Sequence, residues 1–296
     1  MKTAEQRRPR ISERINSLVA AEKPFRRFAG NVSKIAKTAM DEASSLSLER
    51  VQIPLDRLPK KLDGFKIIHL SDIHHSPFTT LEHIERAVKI ANRLKPDMFI
   101  LTGDYVSHDK KYIGPAAKVL GKLTSEFGTY ACLGNHDHWT SPELVVRRFS
   151  EVGIRMLVNE GFRFEARDAS FWLCGVDDHM VGKTDLAAAL KGSFPDEMRL
   201  LLAHNPLIFR QAVRYGVDLT LSGHTHGGQV KVRDPEKRLL RSRKLSSGLH
   251  QRKDAQIYIT RGIGTVVLPI RYQCPPEISL LELRSGNAER GTQNAE

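Results

Sequence analysis

The sequence predicts an α/β protein with one largely parallel sheet, a second sheet that is partly antiparallel, and helices between the strands. Three observations carry this reading. From Phe65 onward, apolar runs of strand length alternate with stretches of helical periodicity. After about residue 153 the rhythm changes to strands joined by turns. Five of the apolar runs end abruptly in Asp, His, Asn and Gly, where a chain building only a core would place a plain turn. With 296 residues, 40% of them hydrophobic and 27% charged, the chain can bury a large core. The expected organisation is a basic, amphipathic helical extension over residues 1–50, one domain over 51–284 and a disordered tail over 285–296.

Taken in order, the extension carries Ile11, Ile15, Leu18 and Val19, then Phe25, Phe28, Val32 and Ile35, at loosely helical spacing. FKIIHLSD (65–72) reads as a short buried strand, LEHIERAVKIANRL (81–94) as a helix, DMFILTGD (97–104) as a second strand and YIGPAAKVLGKLTSEF (112–127) as a second helix. These are βαβ units, which place their strands parallel. TYACLGNHD (129–137) adds a third strand, and SPELVVRRFSEVG (141–153) a helix with Ser141 as cap and Pro142 in its first turn. IRMLVNEGFRFEA (154–166) and ASFWLCGVDD (169–178) form the antiparallel part. MRLLLAHNP (198–206) and VDLTLSGHTHGG (217–228) are again apolar runs, separated by the helical LIFRQAVRYG (207–216), and QIYITRGIG (256–264) and EISLLELR (277–284) are the last strands.

No run approaches the roughly 18 apolar residues that span a bilayer. Cys132, Cys174 and Cys274 form neither a CxxC pair nor an even framework, so they read as buried thiols in a reducing, cytoplasmic compartment. FRRFAGN is similar to a twin-arginine export signal, but the VSKIAKTAMDEASS that follows is too polar for its hydrophobic region, and export is rejected. The net charge of +12 concentrates in the first fifty residues and in 231–253. Neither region interleaves aromatics as a single-strand-binding surface does, so no specific nucleic-acid partner follows. A solvated basic face and a peripheral contact with the anionic inner face of the cell membrane both fit.

The five polar strand ends are SDIHH, TGDY, GNHDH, AHNP and SGHTH. In open α/β sheets, ligands bind beyond the carboxyl ends of the strands. Asp72, His74, Asp104, Asn135, His136, His204, His224 and His226 would converge there. Carboxylate, imidazole and amide donors without thiolate suit Mn²⁺, Fe²⁺ or Zn²⁺. This set exceeds the needs of one open tetrahedral ion and suffices for two divalent metal ions sharing a carboxylate. Residues i and i+2 of an extended strand point the same way, so Asp72 with His74, and His224 with His226 from a neighbouring strand, can reach one centre. Gly103, Gly134, Gly223, Gly227 and Gly228 permit tight turns beside them.

These motifs, DxH (Asp72, His74), GD (Gly103, Asp104), GNHD (Gly134 to Asp137), His204 and GHTH (Gly223 to His226), resemble in content and order those of the calcineurin-like metallophosphoesterase superfamily. RGIGTVVLPIRYQCPPEISLLEL (261–283) resembles the C-terminal part of its bacterial subfamily with a membrane-associated phosphodiesterase and UDP-diacylglucosamine pyrophosphatases. The resemblance implies a four-layer αββα sandwich, two mixed β-sheets flanked by helices. It further implies that Asp72, His74 and His226 hold one metal, that Asn135, His204 and His224 hold the other, and that Asp104 bridges. It makes His136 the catalytic acid, oriented by Asp137. Two such cations, roughly 3.5–4 Å apart, would activate a hydroxide for in-line attack on phosphorus.

The residues beside these ligands are less determined. His75, Tyr105 and His138, with Ser76 and His108, could contact substrate or lie on the surface. Asp178, with Asp177 and His179, forms either an active-site loop or a polar turn. Arg271 meets a substrate phosphate or makes a salt bridge, and His69, opposite Asp72, packs in the core. The expected function is hydrolysis of a phosphodiester or pyrophosphate bond in a membrane-associated lipid or nucleotide-lipid substrate. A nuclease or cyclic-nucleotide phosphodiesterase with the same metals is the alternative enzyme. A non-catalytic scaffold is the alternative class, against which the intact Asp72, Asp104, Asn135, His136 and His226 speak.

Overall fold

In the computed structural model, which describes residues 37–230, 245–266 and 268–286, the alternation read from the sequence becomes two mixed sheets packed face to face. The first contains β1 (Ser47–Leu55), β2 (Phe65–Leu70), β3 (Met98–Thr102), β4 (Thr129–Cys132), β5 (Ile154–Met156) and β12 (Glu277–Ser285), in the order β1-β12-β2-β3-β4-β5. The second contains β6 (Glu160–Ala166), β7 (Ala169–Gly175), β8 (Arg199–Leu202), β9 (Leu219–Ser222), β10 (Gly248–Arg252) and β11 (Ala255–Ile259), in the order β10-β11-β9-β8-β7-β6. Strands β2 to β5 run parallel, as do β7 to β9 with β11, while β12 is antiparallel to β2 with Leu281 opposite Ile67.

The central strands are continuous apolar runs because both their faces are covered. Ile67, Ile100, Leu200, Leu202 and Leu221 point into the layer between the sheets, together with Phe65, Phe164 and Phe171. Their neighbours Ile68, Phe99 and Leu101 point outward, against α2 (Leu81–Arg93), α3 (Ile113–Leu120) and α5 (Pro142–Ser150). Leu201 and Ile257 point the other way, against α6 (Leu186–Ala189) and α7 (Phe209–Arg214). In α2, Ile84, Ala87, Val88 and Ala91 make the buried stripe, and Thr80 caps the first turn by accepting from the His83 amide at 3.3 Å.

Four features differ from the expectation. The chain is helical over residues 37–44 (α1), and β1 starts at Ser47, ahead of the expected boundary at 51. This edge strand buries only Ile53 and Leu55 fully, so its pattern reads as polar. IRMLVNEGFRFEA is not one strand: it divides into β5 at one edge of the first sheet and β6 at one edge of the second. The end of the basic stretch forms β10, a hairpin partner of β11. Ser141 precedes α5 as expected, but its side chain makes no capping bond. The helical spacing over residues 11–35 and the tail beyond residue 286 lie outside the described residues. Among the described residues, no helix is long and apolar enough to cross a membrane.

Candidate metal centre

The loops after β2, β3 and β4 of one sheet, and after β8 and β9 of the other, leave their strands at the same end of the sandwich. They bring all five motifs together. The i, i+2 spacing does not arise from a strand pleat, however. Asp72, His74, Asp104, His224 and His226 all have positive φ, between 48° and 68°. They belong to turns beyond the strand ends, in a conformation unfavourable for residues other than glycine, and such strain persists where surrounding bonds over-determine it. The amides of Asp72, His74 and His75 donate to the carbonyls of Gly103, Asp104 and Tyr105 at 2.9–3.0 Å, which laces the β2 loop to the β3 loop. His224 and His226 come from the facing sheet, not from a neighbouring strand.

Two sets of donors share one carboxylate. His74 Nε2 and His226 Nε2 stand 3.1 Å apart, and Asp72 Oδ1 lies 3.3 Å from His226 and 3.9 Å from His74. On the other side, His204 Nε2 and His224 Nδ1 stand 3.2 Å apart. Asp104 Oδ2 is 3.1 Å from His204 and 3.5 Å from His74, so it faces both sets. Asp72, His74 and His226 form one compact triad of ligand atoms, and Asp104, His204 and His224 another. Asn135, the first residue of α4 (Asn135–Thr140), is buried, and its Oδ1 has no hydrogen-bond partner among the described residues. An orphaned acceptor beside convergent imidazoles and carboxylates is the donor chemistry that a pair of divalent cations satisfies.

The backbone is shaped to bring these groups together. A Cβ on Gly223 would run into Ser71 Oγ and the Asp72 carboxylate, and one on Gly134 into the Asp104 carboxylate. The Thr102 carbonyl accepts from His204 Nδ1 at 2.7 Å and thereby turns Nε2 toward the centre. Burial pushes the pKa of His74 down to about 3 and that of His226 well below the usual value, so both imidazoles are neutral. Burial would lower His204 as well, but the Asp104 carboxylate outweighs it and pushes His204 up to about 10. Burial raises Asp104, yet His204 and His74 hold it far below the carboxylate range.

His136 sits at the rim of this arrangement. Its ring packs edge-on to His74 at 4.8 Å between centroids, its Nδ1 donates to the Ser107 carbonyl at 2.9 Å, and its amide donates to Asp104 Oδ1 at 2.9 Å. Asp137 does not touch the ring, contrary to the expected orienting role. Its carboxylate accepts from the amides of Asp104, Tyr105 and Gly134 at 2.8–2.9 Å and ties the β3 and β4 loops together. Ser107 orients His136 through its carbonyl, a role that no residue type announces.

The neighbouring residues divide. His138 Nε2 meets Asp177 Oδ1 at 2.5 Å, and burial, which would raise Asp177, is outweighed by this bond so that Asp177 stays below its ordinary range. His75 is turned back on its own loop, Nδ1 bonded to the Thr79 carbonyl at 2.9 Å. Asp178 is buried, with Oδ1 accepting from the Met180 amide at 2.8 Å. Two expectations of substrate contact need correction. The Tyr105 side chain points into the core against Phe149, its hydroxyl bonded to the Leu101 and Cys132 carbonyls at 3.2 and 2.8 Å. Arg271 is completely enclosed: it donates to the carbonyls of Arg261, Gly262, Gly264 and Cys274, and its Nη2 stands 3.4 Å from His226 Nδ1. It braces the loop behind a candidate ligand and offers nothing to a substrate. His69 is a core residue, with Nε2 2.8 Å from Thr102 Oγ1. All three cysteines are buried and free.

Comparison with known proteins agrees with this geometry. Residues 65–228, the span that holds all five motifs, match the family described as calcineurin-like phosphoesterase. The chain is 34% identical to the phosphodiesterase YaeI of Escherichia coli over 225 residues, 74% of this chain and 82% of that protein. It is 32% identical to the uncharacterized metallophosphoesterase YkuE of Bacillus subtilis over 236 residues, 78% of this chain and 82% of that protein. A bovine transmembrane protein with metallophosphoesterase domain is 33% identical over 265 residues, 83% of this chain, and the match spans 59% of that longer protein. With the family's motifs in order on two packed sheets and their donors gathered at one end, the chain belongs to the calcineurin-like phosphoesterases and is a metal-dependent hydrolase of phosphoester bonds.

Proposed function

We propose that the chain hydrolyses a phosphodiester or pyrophosphate bond in a membrane-associated lipid or nucleotide-lipid, at a centre of two divalent cations. The observation that carries the reading is the placing of Asp104 Oδ2 within reach of both histidine sets. In this assignment Asp72, His74 and His226 hold one cation, Asn135, His204 and His224 the other, and Asp104 both. Such a pair, when bound, neutralises the phosphoryl oxygens and supplies a nucleophilic hydroxide near neutral pH. The chain's own residues do the rest. His136 Nδ1 is committed to the Ser107 carbonyl, which leaves Nε2 to protonate the leaving oxygen or stabilise its developing charge. Asp137 acts through the backbone, holding the Asp104 and His136 loops in register. His108, exposed and with its ring 5.4 Å from that of His136, is the residue of the neighbouring set best placed to meet the substrate, whereas His138 is bonded to Asp177.

The catalytic unit would run from β1 to the end of β12, acting at the inner face of the cell membrane. Two observations support a membrane surface. Met40, Phe78, Val230 and Leu268 are large, exposed side chains on segments that hydrogen-bond to one another beside the His226 turn, through Arg271 N to Ala39 O, Gln229 Nε2 to Leu268 O and Thr265 N to Thr79 Oγ1. Residues 1–36, which lead into α1, carry nine Lys and Arg against three Asp and Glu, a charge that favours anionic headgroups. A panel of a UDP-sugar lipid, an aryl phosphodiester, single-stranded DNA and cyclic nucleotides, each with Mn²⁺, tests the substrate. Preference for the lipid is expected, and preference for DNA or a cyclic nucleotide would replace this reading. Sedimentation with anionic vesicles at low salt tests the location, and a chain left wholly in the supernatant would refute it.

A further inference from the structure

The segment after β7 carries two adjacent carboxylates with different fates. Asp177 has a side-chain partner: its Oδ1 accepts from His138 and from the Asp178 amide, while its own amide donates to Asn159 Oδ1 at 2.9 Å and its carbonyl accepts from Thr184 Oγ1 at 2.9 Å. Asp178 is only 1% exposed, and just one of its oxygens is used, Oδ1 for the Met180 amide. Its Oδ2 is buried without a hydrogen-bond donor among the described residues. The loop runs beside the second histidine set: β7 pairs with β8, the Val176 amide donating to the Leu202 carbonyl at 3.1 Å two residues before His204, and His138 of α4, the helix that begins at Asn135, bonds Asp177. Asn135 Oδ1, assigned above to the same cation as His204 and His224, is likewise a buried acceptor with no donor among the described residues. A turn alone accounts for Oδ1; what Asp178 Oδ2 and Asn135 Oδ1 both lack is a positive partner.

Charge points the same way. Of the assigned ligands, the first cation has Asp72 together with a share of Asp104, whereas the second has only a share of Asp104 beside the uncharged Asn135, His204 and His224. We propose that Asp178 supplies the missing negative charge to the second cation through a water, Oδ2 being held for a water on that ion. This rests on the dinuclear reading above.

The test uses the full chain and Mn²⁺ alone. In Asp178→Asn, the amide oxygen can still accept from Met180 while the charge is lost. The wild type is expected to bind two Mn²⁺ by calorimetry and elemental analysis, and to show the spin-coupled signal of a manganese pair. The variant is expected to keep the first ion, to bind the second about 10-fold to 100-fold more weakly, and to lose the coupled signal at concentrations that fill the wild type. Its melting in EDTA should match the wild type. Two ions bound with wild-type affinity would overturn the proposal, and so would a variant that fails to fold in EDTA, since Asp178 would then serve the fold. A wild type binding fewer than two ions would instead strike the dinuclear reading itself.

Discussion

The two cation positions should respond differently to pH, because protons occupy their histidines unequally. His74 and His226 are neutral near pH 7, their pKa values pushed down by burial. A cation arriving beside Asp72 therefore displaces no proton from them. His204 is held up to about 10 by Asp104, so a cation at the second position must displace a proton from it. Between pH 7 and that value the competition amounts to on the order of 4 kcal/mol, or about 1.4 kcal/mol per pH unit. Calorimetric titration with Mn²⁺ from pH 6.5 to 9, in buffers of differing ionisation enthalpy, reads this directly. The first ion should bind with an affinity nearly independent of pH and release no proton from the histidines. The second should gain about tenfold in affinity per pH unit and release about one proton. Two ions with the same flat pH dependence would refute the proton assignment. A linked consequence concerns the metal-free fold. Because the folded pKa of His204 lies above the unfolded value near 6.5, the His204–Asp104 pair stabilises the chain fully below that value. In EDTA this contribution is lost as pH rises toward about 10.

Three substitutions separate the roles of individual side chains. His136→Ala should retain both ions yet lose about 10²-fold to 10⁴-fold in turnover, and unchanged turnover would remove His136 from the chemistry. Asp104→Ala takes away the carboxylate that faces both sets, so elemental analysis should show metal lost from both positions; full occupancy would show that it bridges nothing. Tyr105→Phe deletes a buried hydroxyl bonded to two carbonyls, and should cost about 1–3 kcal/mol in chemical denaturation while leaving kcat unchanged. A fall in kcat at full stability would return Tyr105 to the substrate.

Much of the centre was legible in the sequence because histidines gather at strand ends where Asp, Asn and Gly alone would be ordinary turn residues, and because those ends converge in the sandwich. Residue type alone picks out Asp72, His74, Asp104, Asn135, His204, His224 and His226 as candidates, but the i, i+2 spacing within them has another cause than a strand pleat. A strand pleat and a pair of left-handed turns both place i and i+2 on one side, and residue identity does not distinguish them. What stayed hidden involves the backbone or lies outside periodicity. Asp137 and Ser107 act on main-chain groups, and Arg271 spends its donors on carbonyls, so none of their roles is written in residue type. Tyr105 followed a ligand in sequence and was grouped with it, but its ring belongs to the outer core beside Phe149. Strand β1 escaped because only Ile53 and Leu55 of its nine residues are fully buried, and an edge strand with polar sides does not alternate cleanly.

The dinuclear centre is tested most directly by counting divalent cations per chain while following hydrolysis of an aryl phosphodiester as EDTA removes them and Mn²⁺ restores them. Turnover should reach its full rate only as the second ion is bound, and disappear when the ions are removed. Full turnover with one ion per chain, or turnover that survives removal of both, would contradict it.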